Sequence, residues 1–253
     1  KQTGKMKATG YTTYESLMPR LYALRDIMSD NKTWNNIVEM TNRQKTFIRD
    51  FIASNKIKNG LTASALDALR TELQRKISLN LISVEEAAIA IRIFGQECVR
   101  EARLFENKKE GTYYTYRASQ AEIVSSFLRG ENAALGMGGG KTISYAVDAI
   151  LHRIILGQNA NIEILVGNDD PANFVSDLVR DENGDPIKGE AKAILDFAGL
   201  RVANLDDYKK KGEATDISGV QNIYADPNTI VIVTPTTKAH MLNEAISLGL
   251  GDG

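Results

Sequence analysis

The stretch Leu135 to Thr142 reads LGMGGGKT, with glycines crowded against a lysine and a threonine. A run with strand character, AALGM at 133–137, leads into it, and an amphipathic helical pattern over 142–157 leads out. A strand that turns through glycines into a helix aims successive backbone N–H groups at one point, where the helix amino terminus adds partial positive charge. Anionic oxygens belong there. Gly136, Gly138, Gly139 and Gly140, with Met137 among them, leave the backbone open to close approach by phosphate. Lys141 then offers its charge to β- and γ-phosphates, and the Thr142 hydroxyl offers a ligand to Mg²⁺. The strict pattern GxxxxGK[ST] requires glycine where Leu135 stands, so the match is to the relaxed form xxxGxGK[ST].

Downstream of this loop, short β-rich runs alternate with longer amphipathic stretches. IEILVG (162–167), LRVANL (200–205) and TIVIVT (229–234) read as strands, and helices are expected over 142–157, 171–180 and near 190–198. Such alternation predicts right-handed βαβ units and a parallel sheet covered on both faces. RDENGDPIKGE (180–190) and DDYKKKGEATDISG (206–219) are rich in turn residues and read as surface loops.

Upstream, the first 112 residues carry few strand signals and several helical ones. TYESLMPRLYALRDIM spaces Leu17, Leu21, Leu24 and Met28 along one face, with Thr12 and Glu15 placed as a capping box. A helix is expected over Ala63 to Ser78 on the repeat of Leu66, Leu69, Leu73 and Ile77. Another should start at Ser83, whose capping partner is Glu86, and run through Gly95 and Cys98. TWNNIVEM and QKTFIRDFIASN read as two shorter helices, with Trp34 a packing residue. The division expected is a helical amino-terminal region over 1–112 and a nucleotide-binding α/β region over 113–253.

Composition is that of a globular domain: 253 residues, 43% hydrophobic, 25% charged. The net charge of -1 supplies no global basic field for nucleic acid or an anionic membrane. A single cysteine, Cys98, excludes an internal disulfide and reads as a small buried thiol. No run is long enough to span a bilayer, and the amino terminus lacks an apolar leader. Because the sequence begins at Lys1 and stops on LGLGDG, a fragment of a longer protein is expected. Neither His152 nor His240 has a cysteine, histidine or carboxylate partner at metal-ligand spacing. Tyr113, Tyr114 and Tyr116 are equally readable as rings against a base or as packing.

YRASQ stands ahead of the glycine loop, with Lys141 following Gln120 by 21 residues (141 − 120). With FLRGENAALGMGGGKT, ILVGNDDPANFVSD and ILDFAGLRVANL, the chain resembles the SecA family of preprotein translocase motors, helicase-like superfamily 2 ATPases. The resemblance covers about residues 83–245 and includes the Asn168–Asp169 pair after an apolar strand, then Gly199 and Leu200. It implies a RecA-like P-loop parallel sheet with flanking helices, partial in this chain, and ATP and Mg²⁺ as cofactors. By the same likeness Arg117 and Gln120 would read adenine, while residues 136–142 would hold the phosphates, with Thr142 on the metal. An unfolded preprotein, a membrane protein channel and anionic lipid would be the partners, with a cytoplasmic location peripheral at the membrane.

The sequence departs from that family at several positions. Gly139 replaces an acidic residue, Asp170-Pro171-Ala172 replaces Tyr-Leu-Ala, and VIVTPTT is nearer to the Thr-Pro motif of nucleic-acid helicases. An ATPase of this class needs an Asp-Glu pair to hold Mg²⁺ and activate water. No apolar strand ending in Asp-Glu follows the loop. Either that strand lies beyond residue 253, leaving slow or no hydrolysis here, or Asp169 and Asp170 serve as the carboxylates. A nucleic-acid helicase and a non-motor nucleotide-binding module are the competing functions.

Overall fold

The computed structural model describes residues 38–58, 60–102, 116–128, 141–159, 161–167, 179–180, 186–187, 189–208 and 216–247. Among them the chain is mostly helical around a small three-stranded parallel sheet, an α/β arrangement. Three helices come first: α1 (Val38–Asn55), α2 (Ala63–Ser78) and α3 (Val84–Glu101). The next two are α4 (Ala118–Leu128) and α5 (Lys141–Leu156). Then follow strand β1 (Ile162–Leu165), a small hairpin of β2 (Val179–Arg180) and β3 (Pro186–Ile187), helix α6 (Glu190–Phe197) and strand β4 (Arg201–Asn204). Helix α7 (Ile217–Ala225), strand β5 (Thr229–Val233) and helix α8 (Pro235–Ser247) complete the order.

Strong local periodicity places the upstream helices. α2 buries Leu66, Leu69 and Leu73 at the expected spacing. α3 opens on a reciprocal capping box, in which Glu86 N–H donates to Ser83 Oγ at 3.2 Å and Ser83 N–H to Glu86 Oε2 at 2.9 Å. The expected pair of short helices is instead joined across residue 41 in the continuous α1. The intervening TNR holds neither Gly nor Pro to stop it, and Gln44 is buried with its amide 3.4 Å from Glu86. The expected helix over 171–180 also needs correction at its end. Val179 and Arg180 pair antiparallel with Ile187 and Pro186, so this part of the expected surface loop is a hairpin. The helix over 12–28, Trp34, the strand at 133–137 and residues 209–215 of the second expected loop lie outside the described residues.

Ion pairs Arg43–Glu86, Arg49–Glu97 and Lys56–Glu101 show that α1 and α3 run parallel. α3 then crosses α5 at close range through Gly95. A Cβ there would stand 2.9 Å from Val147 Cγ1, which explains a glycine inside an otherwise uninterrupted helix. Gly199 closes α6 at φ +77°, and a Cβ would meet the backbone of Thr62 and Ala63 at 2.5 Å. Only glycine fits that conformation at that distance.

The strand order is β1-β5-β4, all parallel. β5 is central and buried throughout, with alternate residues serving opposite faces. Ile230 and Ile232 join a large front core containing α2, α3, α5 and α6, whereas Val231 and Val233 join a small back core with Leu205 and Ile223. From β1 the chain moves two positions across to β4 by way of α6 on the front. It then returns one position to β5 through α7 on the back. Opposite steps over opposite faces share one hand, as the right-handed crossover rule requires.

Arg153, with no exposed surface, ties the helical layer to the sheet. Its guanidinium donates to both Asp67 oxygens on α2 at 2.9 and 3.1 Å, to Asn228 Oδ1 at 3.0 Å and to Pro227 O at 3.1 Å. The amino-terminal helices therefore share a core and a polar lock with the residues that lead into β5.

Candidate functional site

α5 carries the two described members of the phosphate motif. Lys141 is its first residue and is exposed; Thr142 is second and half-buried. From Ile143 onward the helix is anchored by Ile143, Val147, Ile150 and Ile154, all nearly inaccessible. Arg153 near its carboxyl end meets Asn228, just ahead of β5, so α5 runs from the carboxyl edge of the sheet to the amino edge. Lys141 and Thr142 consequently sit at the edge where parallel α/β sheets bind ligands. Gly136, Met137, Gly138, Gly139 and Gly140 lie outside the described residues, as do Asn168, Asp169, Asp170, Tyr113 and Tyr114.

The same edge carries the threonine of VIVTPTT and an aspartate beside it. Thr234, 5% exposed, follows β5 and caps α8: its Oγ1 accepts from Thr237 N–H at 3.2 Å and approaches Asp206 Oδ1 at 3.3 Å. Asp206 is itself held by Asn204, whose Oδ1 accepts the Asp206 N–H at 3.1 Å. A threonine N-cap followed by proline in the first helical position is a common start signal. It accounts for Thr234-Pro235 as a local helix start.

The other expected residues lie at the start of α4, a helix that packs on α5. Phe127 stacks on Tyr145 with centroids 5.1 Å apart and planes 6° from parallel. Tyr145 shares a helix face with Lys141, four residues earlier. Gln120, seven residues before Phe127, is therefore about 10 Å back along the α4 axis. It is fully buried, and its Oε1 accepts the Arg117 N–H at 2.8 Å. The Arg117 carbonyl accepts from Ala121 N–H at 3.1 Å, the first turn of α4, which makes Arg117 the N-cap and Gln120 the third helical residue. The Arg117 residue is exposed. Tyr116 is half-buried and packs against the front core, which favours its packing role.

From behind, α3 clamps α4. Arg92, 5% exposed, donates through Nη2 to Ser125 Oγ at 2.7 Å and to Ala121 O at 3.2 Å. Both clamps, through Arg92 and Arg153, escaped sequence reading because their partners are distant in the chain.

Other titratable groups have structural settings. Cys98 is buried, and burial foremost, then Glu97 and Glu101, push its thiol well above the ordinary range. Burial alone would raise Asp67, but hydrogen bonds from Arg153 and Gln158 and the nearby guanidinium charges hold it below the usual carboxylate value. His152 Nδ1 lies 3.1 Å from Asp148 O within its own helix, and His240 is exposed on α8. Among the described residues no group of three or more His, Cys, Asp or Glu could hold a metal, and no helix is long and apolar enough to cross a membrane. Compared with known proteins, the chain matches no family model, no curated protein and no solved structure.

Proposed function

We propose that this chain is the nucleotide-binding part of a SecA-like ATPase motor, holding Mg-ATP with a RecA-like P-loop. The observation that carries the reading is the placement of Lys141 and Thr142. They open a deeply buried helix at the carboxyl edge of a parallel sheet, directly after a glycine run. Backbone N–H groups of 136–140 would cradle the phosphates, Lys141 would neutralise β- and γ-oxygens, and Thr142 would ligate Mg²⁺.

The crossover geometry supports this reading. α5 lies on the front face with α6, so a strand feeding α5 with the same hand would fall beside the edge of β1 opposite β5. α8 lies on the back, where Met241 packs in the small core, and a strand following it would be directed toward that same edge. A strand in that position would end at the same sheet edge as Lys141 and Thr142. Coupling of hydrolysis to passage of an unfolded polypeptide through a membrane channel, at the cytoplasmic face, is the activity proposed for the whole motor. We prefer translocation to nucleic-acid remodelling because helix capping explains Thr234-Pro235 and the charge balance is even.

Calorimetric titration with Mg-ATP tests the cradle. The chain should bind, Lys141→Ala should weaken binding by tenfold or more, and Thr142→Ala should reduce its Mg²⁺ dependence. Equal binding by wild type and Lys141→Ala would refute the reading.

A further inference from the structure

We draw no further inference here: the strongest candidate, the surface patch of exposed Leu79 and Leu81 on the turn between α2 and α3, carries nothing because nothing in the structure shows what covers it.

Discussion

The two faces of the sheet are built differently. The front lies under α2, α3, α5 and α6, where a continuous apolar core runs from Ile48 to Ile232 and Arg153 is sealed among its partners. On the back, Leu205, Ile223, Val231 and Val233 form a small core beneath α7 and α8. Much of the holding there is polar: Tyr224 donates to Glu163 Oε2 at 2.7 Å, and Lys238 pairs with the same carboxylate. Leu165, beside that group on β1, is 54% exposed. The helix bearing Lys141 is thus fixed by the heavier face, while the lighter face carries the Thr234 cap and the helix leading away from the site.

The largest test of this contrast is Arg153→Ala, which leaves Asp67 and Asn228 without their shared donor. A loss of about 3–5 kcal/mol in denaturant unfolding is expected. A loss below 1 kcal/mol would show that the lock is dispensable and that apolar packing alone joins the helical layer to the sheet. Next come two neighbours on β5 that face opposite ways. Ile232→Ala on the front should cost about 2–5 kcal/mol. Val233→Ala on the back, losing less side chain from a thinner core, should cost about 1.5–2 kcal/mol. Equal costs would break the distinction between faces.

A smaller effect is expected from Tyr224→Phe, about 1 kcal/mol at pH 7, because one hydrogen bond to a carboxylate is lost. Burial, followed by the Glu163 hydrogen bond and charge, raises the Tyr224 hydroxyl above its ordinary value of 10.0. The folded state therefore holds that proton more tightly than the unfolded chain. The associated stability is present below pH 10 and declines as pH rises beyond it, so wild type should lose more stability than Tyr224→Phe in that range. Parallel pH curves would remove Tyr224 from the back-face account. On the front the sign reverses. Asp67 is depressed in the folded state, so its contribution is present above the ordinary carboxylate value near 4 and falls as pH drops through the lower folded value. Asp67→Asn should flatten this acid dependence, and an unchanged acid limb would show that other carboxylates govern it.

Much of the front layer was legible because its signals are local. The leucine repeat gave α2 its exact residues, and Ser83 with Glu86 announced α3. Each described strand fell within one of the β-rich runs except the short hairpin, where turn composition concealed two pairs of bridging residues. Merging of the expected short helices into α1 also needed tertiary information, since Gln44 is accommodated inside by Glu86 of another helix. At the site, LGMGGGKT announced a helix start that α5 supplies, but the orientation of Gln120 was hidden. Motif spacing gives distance along the chain; it does not say whether an amide points to a ligand or to its own helix. Asp216 shows the same limitation in a loop, where its side chain accepts from Gly219 N–H at 2.9 Å and caps α7, which starts at Ile217, inside the expected loop.

The Arg153 lock also sets an order of events during synthesis. Asp67 leaves the ribosome 86 residues ahead of Arg153, and Asn228 follows Arg153 by a further 75. At about 5–20 residues per second, this last interval alone occupies about 4–15 s. Throughout it the front core lacks Ile230 and Ile232. The four-way contact of Arg153 with Asp67, Pro227 and Asn228 therefore closes only after that interval.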